Sequence, residues 1–462
     1  MKTRHRRALL MIVLSCSITN WIQGFKKLEG RTASRLSRRH MHHMLRPDTL
    51  HRYEPPSFAK NFFDEGAMPT HRLRLANLPT PVHRVIGGAQ DGILARLKEL
   101  NIKLYIKRDD ATGGAELGGN KVRKLEMLMC DAIAKRCDSV VTIGGEQSNH
   151  CRATAAASRM MNLSPHLILR TRRADAIERN NEGMGYTGNV LFDRMVGSTI
   201  YTCTPGEYGR LGSNTLVGSV CDHLESNGFN PNAIPVGGSN ALGTWGYISA
   251  VEELMHQLET IQSEDSDFNF GHVVFATGSG GTAAGIALGL SLAHGADAHP
   301  AAEGKEAPTC HGIGVCDSPD YFYTTIASIA DAMGLKKMIH SSTEDFIRSI
   351  IKVHHGKGRG YAVSSDEELR FISQFAVDTG ICLDPVYSGK ALYHFMTKVL
   401  EEEPEKYRGQ KILFWHTGGA LGTYEKGNDL LKSTSSSGSK VKRIDCFGKS
   451  DSGDTVVCKQ ET

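Results

Sequence analysis

The sequence has no CxxC pair of the kind that holds zinc and no cysteine spacing that frames a disulfide-rich domain. Its 11 cysteines are odd in number and scattered, which predicts a reducing compartment. Cys130, Cys137 and Cys151 sit where buried packing residues are expected, and no metal site is predicted. No long apolar run follows the N-terminal segment, so the body is not expected to cross a membrane. An excess of one charge is also missing: the net charge is +4 over 462 residues, part of it near the N-terminus, and nothing points to nucleic acid. Acidic residues are nearly absent from 1–45, where Glu29 stands alone among basic, Ser and His residues. That is the bias of an organelle transit peptide. The apolar run from Ala8 to Ile18, after Lys2, Arg4, Arg6 and Arg7, also resembles the core of a secretory signal. The cysteine usage favours a mitochondrial or plastid matrix over secretion, and the expected location is the mitochondrion, with plastid or secretion as alternatives.

What is present is 40% hydrophobic residues, enough for a sizeable core in roughly two or three domains. The most informative stretch is Gly118 to Glu126, GGNKVRKLE. Its glycines let a ligand approach the backbone, Asn120 is a good N-cap, and helical spacing follows from Val122. Lys121 therefore falls in the first turn of a helix, where the dipole and desolvation both lower its pKa. A neutral amine there is a nucleophile that condenses with aldehydes, and Lys124, one turn on, could neutralise a phosphate. The plain alternative is a solvated basic helix start. A P-loop is excluded, because Lys121 follows Asn120 and precedes Val122.

The rest of the chain alternates strands with helices, which predicts an α/β fold with open parallel sheets and ligands at the carboxyl ends of strands. Lys103–Lys107 reads as a strand ending in Arg108-Asp109-Asp110. Ser139–Ile143 is a β-branched run that leads through Gly144-Gly145-Glu146-Gln147-Ser148-Asn149-His150 into an Ala-rich helix, Cys151–Met161. Small polar residues at that helix start suit a carboxylate, although capping alone also explains them. His272–Ala276 runs into Thr277-Gly278-Ser279-Gly280-Gly281-Thr282 before another helix, a loop able to cradle a phosphate and shared with nucleotide-binding folds. Ser291–Pro308 reads as a surface insertion, and the Ser-, Lys- and Gly-rich tail, 431–462, as disordered.

Taken in order, GGNKVRKLE, IGGEQSNHCRATA, VGGSNALGTWGYI, TGSGGTAAG, LDPVYSGKA and ILFWHTGG resemble one family. They look like the pyridoxal-phosphate enzymes of the D-cysteine desulfhydrase and 1-aminocyclopropane-1-carboxylate deaminase group, close to plant mitochondrial members. The resemblance runs from about Tyr53 to Tyr424. It implies a tryptophan-synthase-β-like (fold type II) architecture, two twisted parallel-sheet α/β domains with pyridoxal 5'-phosphate between them. The larger domain would comprise 46–129 and 235–430, and the smaller one 130–234. The resemblance also implies a small amino-acid substrate and a homodimer.

Carried over residue by residue, the resemblance makes Lys121 the Schiff-base lysine and puts Asn149 at the cofactor's phenolic oxygen. Lys124, Gly278, Ser279, Gly280, Gly281 and Thr282 would hold the phosphate. Gln147 and Ser148 would meet the substrate carboxylate, with Ser148 near the reacting carbon, and Tyr361 and Tyr387 would face the substrate. Deaminases of the group carry Glu after the tyrosine matched to Tyr387, and Leu in place of Thr417. Here Ser388 and Thr417 stand instead, the desulfhydrase-like pair, with Ser388 expected at the substrate and Thr417 at the cofactor. Hydroxyls leave the pyridine nitrogen closer to neutral than a carboxylate does, which is sufficient when thiolate is the leaving group. The implied reaction is α,β-elimination from D-cysteine to pyruvate, hydrogen sulfide and ammonia, with ring-opening deamination or a catalytically weak cofactor-binding homologue as alternatives. Two positions depart from the pattern. The loop between Thr112 and Asn120 is one residue longer, and Glu146 puts a carboxylate beside the expected carboxylate site, where it must turn away or pair, for instance with Arg152.

Overall fold

In a computed structural model, residues 47–87, 92–295, 297–336, 342–432, 445–448 and 455–457 are described. The expected targeting segment, 1–45, lies outside them. A short antiparallel pair, β1 (His51–Arg52) and β2 (His71–Arg72), precedes the first sheet strand, β3 (Val82–Arg84). Next come β4 (Lys103–Arg108), helix α1 (Lys121–Ala134), β5 (Ser139–Gly145), α2 (Asn149–Met160), β6 (Ser164–Arg170), α3 (Asn189–Met195), β7 (Thr199–Cys203) and β8 (Pro231–Ala233). They are followed by α4 (Ala241–Gln262), β9 (His272–Thr277), α5 (Gly281–Ala293), β10 (Thr309–Gly314), α6 (Pro319–Ala332), β11 (Ile351–His355), α7 (Asp366–Thr379), α8 (Ser388–His394) and β12 (Lys411–His416).

The strands form two main sheets, ordered β11-β10-β9-β12-β4-β3 and β7-β6-β5-β8. All pairings in the second sheet are parallel. The first is parallel apart from its edge, where β3 runs against β4. Parallel strands covered on both faces need continuous apolar sequence, and β9 is buried at every residue. Along it Val273 and Phe275 face one core, with Trp245 and Tyr247 of α4, while Val274 and Ala276 face another, with Phe375 of α7 and Leu392 of α8. No described helix is long and apolar enough to cross a membrane.

Helix α4 reaches α1 closely. A Cβ at Gly246 would sit 2.1 Å from the Arg123 carbonyl oxygen, so only glycine permits this approach. Around it lies a buried ionic cluster that the sequence did not announce. The Asp109 carboxylate, at the end of β4, accepts from Thr80 Oγ1 (2.8 Å), Arg123 Nε (2.9 Å) and Nη2 (2.8 Å), Tyr247 Oη (2.7 Å) and Trp415 Nε1 (2.8 Å). Arg123 also binds Glu253 of α4 at 3.0 Å, and Glu253 pairs with the buried Lys107. One cluster thus ties β4, α1, α4 and β12 together.

Two expectations change, those for Ser291–Pro308 and for Asn120. Ser291–Pro308 is not a surface insertion: α5 runs to Ala293, and His299, Ala301 and Ala302 are buried, with Gln262 Nε2 donating to the Ala301 carbonyl at 3.0 Å. Most of the tail expected to be disordered, 431–462, lies outside the described residues; those described include two short antiparallel strands, β13 (Asp445–Gly448) and β14 (Thr455–Val457). Asn120 does not cap α1 with its side chain; its backbone is already helical, and its amide donates to Thr282 Oγ1 at 3.0 Å. Among the described cysteines all are free thiols, with Cys130 and Cys151 buried and Cys137 half-buried.

Removing the Asp109 charge leaves the buried Arg123 and Lys107 sharing the single carboxylate of Glu253, so Asp109→Asn is expected to lower stability by about 3–5 kcal/mol, read as a lower urea midpoint. The arginine, lysine and hydrogen-bond donors overcome burial and hold the Asp109 carboxyl at about 2, against an ordinary 3.8. The folded protein then binds fewer protons here than the unfolded chain. This stabilisation is full above pH 3.8 and is lost as pH falls through about 2. In Asp109→Asn that part of the acid dependence is expected to vanish.

Candidate active site

A cavity of about 540 Å³ opens at the carboxyl ends of strands from both sheets. Of the residues singled out in the sequence, Lys121, Ser148, Asn149, Tyr361, Tyr387 and Thr417 line it, together with Gly278, Ser279, Gly280 and Thr282. Lys124, Gln147, Gly281 and Ser388 are not on its wall.

Lys121 is the first residue of α1. Burial lowers its ammonium to about 8, and no hydrogen-bond or ion-pair partner stands against it among the described residues. A lysine so placed offers a substantial neutral fraction at neutral to mildly alkaline pH. Gly237 keeps the space beside it open: a Cβ there would lie 2.2 Å from Ser279 Oγ and 3.4 Å from Lys121 Nζ.

The Thr277–Gly281 turn enters α5 with Gly280 at φ +84°. A Cβ at Gly278 would lie 2.9 Å from the Tyr387 ring, and Cys316 Sγ donates to the Gly278 carbonyl at 2.9 Å. The Cys316 thiol is pushed up to about 11 by burial, so it is a donor rather than a nucleophile. Lys124, expected to meet a phosphate, is set behind this turn. Its Nζ donates to the Gly237 carbonyl and to Ser239 Oγ, both at 3.1 Å, and burial plus the charge of Lys121 drive its pKa well down. Ser239 Oγ also takes the Gly281 N–H (3.2 Å) and meets Ser279 Oγ (2.8 Å). The lysine is therefore linked to the turn by way of Ser239, a residue not among those singled out in the sequence.

On the other wall, Ser148 is the N-cap of α2, its Oγ accepting from Cys151 N at 3.2 Å. Capping is thus real, and the same hydroxyl lines the cavity. Asn149 Oδ1 is buried with no hydrogen-bond partner among the described residues, as is Thr277 Oγ1 across the cavity. Gln147 turns away: its amide donates to the Thr187 carbonyl (3.0 Å) and its oxygen accepts the Asn189 N–H (2.8 Å). Glu146 does pair, with Arg173 rather than Arg152, and also accepts from Thr171 Oγ1 at 2.9 Å. Arg152 instead binds the Ala115 (2.7 Å) and Gly118 (3.0 Å) carbonyls, holding the lengthened loop before Lys121.

Tyr361 and Tyr387 share a 2.7 Å hydrogen bond between hydroxyls, and burial raises both phenols. Ser388 is fully buried, its hydroxyl donating to the Gly418 carbonyl (3.2 Å) and lying 3.0 Å from His416 Nδ1, so it does not face the cavity. The cavity also takes in Arg170, Tyr208, Cys316 and Asp317, none of which the sequence reading selected. Arg170 was open to selection in principle, as the charged residue that follows the apolar run Leu167–Leu169 at the carboxyl end of a strand.

The donor set fits a phosphate-bearing aldehyde. A dehydrated lysine, an orphaned Asn149 oxygen, a glycine turn at a helix N-terminus and a cleft that a Cβ at Gly237 or Gly278 would fill are the features such a ligand needs. A family model described as pyridoxal-phosphate dependent enzyme matches residues 73–418. The bifunctional D-cysteine desulfhydrase/1-aminocyclopropane-1-carboxylate deaminase, mitochondrial, of Arabidopsis thaliana is 44% identical over 379 residues, covering 82% of this chain and 84% of that protein. A D-cysteine desulfhydrase of Serratia proteamaculans is 33% identical over 352 residues, covering 76% of this chain and 94% of its own. A crystal structure of an ACC deaminase homologue superposes with a TM-score of 0.61 at 29% identity, covering 82% of this chain and all (100%) of that one. The chain belongs to the pyridoxal-phosphate dependent enzymes, in the D-cysteine desulfhydrase and 1-aminocyclopropane-1-carboxylate deaminase group.

Proposed function

We propose that this protein is a lyase that converts D-cysteine to pyruvate, hydrogen sulfide and ammonia. The observation that carries the reading is Lys121, an amine whose pKa desolvation lowers to about 8, lining one cavity with an orphaned amide oxygen, that of Asn149. The two relatives named as D-cysteine desulfhydrases support the substrate. Pyridoxal phosphate supplies, when bound, an electron-withdrawing ring that stabilises negative charge on the α carbon.

The chain's own residues supply binding and proton transfer. Lys121 would hold the cofactor and, once displaced, take the α proton at Nζ, which near-neutral pH leaves partly unprotonated. Asn149 would meet the ring's phenolic oxygen, the Gly278–Thr282 turn the phosphate, and Thr417 the ring nitrogen. Lys124 would act through Ser239. The orphan N–H groups at the start of α2 and the Ser148 hydroxyl would bind the substrate carboxylate. The Tyr361 and Tyr387 hydroxyls, sharing one hydrogen bond, would pass a proton to the departing sulfur. With Ser388 turned to Gly418, a Thr417 hydroxyl rather than a carboxylate would stand at the ring, which suits a good leaving group. The Arabidopsis relative's bifunctional name favours ring opening of 1-aminocyclopropane-1-carboxylate as a second activity. Residues 130–234, which contain the four-stranded sheet, would form the smaller domain, and 1–45 would direct the protein to the mitochondrion. A homodimer is the expected assembly.

Lys121→Ala should abolish sulfide release from D-cysteine together with the visible absorbance of the lysine-bound cofactor; retention of both would overturn the assignment. Assaying pyruvate with sulfide against 2-oxobutanoate separates the two activities. A second test uses the apoprotein. Covalent cofactor loading needs the neutral amine, so its rate should rise with pH and level off above about 8. A rate still climbing towards pH 10 would mean that Lys121 is not dehydrated.

A further inference from the structure

The cavity holds a cation that the reaction of D-cysteine does not use. Arg170 ends β6, one strand over from Gly145, with which it is in register. Its guanidinium lies 4.7 Å from the Tyr208 ring centroid and 5.7 Å from that of Tyr361, so two aromatic faces fix it on the cavity wall. Among the described residues no carboxylate pairs with it. Asp317 is the one carboxylate among the described lining residues, and it accepts the N–H of Ser318 at 2.8 Å, at the start of α6. The α-carboxylate of an amino acid already has a place, the start of α2 after Gly145. D-cysteine carries no second anion for Arg170.

We propose that the site also takes D-amino acids whose leaving group is itself anionic, with Arg170 binding that group; S-sulfo-D-cysteine is the simplest case. This rests on the D-cysteine reading and extends it. The α proton passes to a base of the site, the Cβ–S bond breaks, and its electron pair leaves on sulfur as thiosulfate. The aminoacrylate left behind takes up water to give pyruvate and ammonium, with one proton released net, so no oxidant or reductant is needed. Thiosulfate leaves more easily than sulfide, and a planar guanidinium matches its sulfonate oxygens through paired N–H donors. Tyr361 couples the two parts of the site. Its ring holds Arg170 while its hydroxyl meets Tyr387.

The test measures kcat/KM of the holoenzyme for S-sulfo-D-cysteine, D-cysteine and β-chloro-D-alanine, following pyruvate in each case and thiosulfate or sulfide where formed. Wild type is expected to form pyruvate and thiosulfate in equal amounts. Arg170→Met should lower kcat/KM for S-sulfo-D-cysteine by roughly tenfold or more, the value of a lost charge-assisted contact, and change the other two by less than about twofold. Arg170→Lys should recover part of the loss. An equal loss on all three substrates would overturn the proposal, placing Arg170 at the α-carboxylate or in support of Tyr361. Sulfide from D-cysteine with no thiosulfate from S-sulfo-D-cysteine would overturn it and leave the desulfhydrase reading standing. No pyruvate from any of the three would remove both.

Discussion

The position of Lys121 depends on a carboxylate, Asp109, that is not on the cavity wall. Asp109 is fully buried and fully bonded, and its principal partner, Arg123, lies two residues beyond Lys121 on the same helix. Through Glu253 and Trp415 the same cluster reaches α4 and β12, the element that delivers Thr417. A buried ion pair adds little net stability over apolar packing, because desolvation consumes most of its attraction. What it does impose is direction. Each of its donors and acceptors has one geometry that satisfies it, so the start of α1 cannot rotate or slide without leaving a charge unpaired. The glycine contact at Gly246 lets α4 come close enough to complete the arrangement.

Dehydration then does the chemical preparation. Lys124 and His150 are buried and Lys121 is half-buried on the cavity wall, and desolvation is the leading cause of the lowered pKa of each. Two lysines one turn apart would repel if both were charged. The site avoids this by surrounding Lys124 with the Gly237 carbonyl and Ser239, and by leaving Lys121 without an anion. The consequence is a division of work between like residues. One lysine is locked to backbone and serine, and the other stands on the cavity wall.

Motifs that carry their own backbone geometry were legible in the sequence. Lys121 at a helix start, Ser148 before α2 and the Gly278–Gly281 turn follow from local rules of capping and glycine conformation, and the strand runs of β5, β9 and β12 follow from continuous burial. Side-chain direction was not legible, because it is decided by partners far along the chain. Lys124 and Gln147 turn to Gly237 and Thr187, about 110 and 40 positions away, and Ser388 turns to Gly418. Glu146 meets Arg173 rather than Arg152 for the same reason: Arg152 is claimed by carbonyls of the loop before Lys121. Arg170 went unselected since nothing in the sequence places Tyr208 and Tyr361 on either side of it. The 291–308 segment looked aperiodic and exposed, yet it packs its small residues into the core beside α4.

The loop ahead of Lys121 is closed at its neck. Thr112 Oγ1 donates to the Gly119 carbonyl at 2.8 Å and accepts the Gly119 N–H at 2.9 Å, while Asn120 N–H reaches the Thr417 carbonyl at 2.9 Å. The stretch 113–118 is therefore a loop whose two ends meet, tethered besides by Arg152 and by the buried Leu117. A residue gained there lengthens the loop and leaves its neck where it was. The start of α1 is thus held by contacts on both sides of the loop's neck, so one residue more between 113 and 118 does not by itself move Lys121.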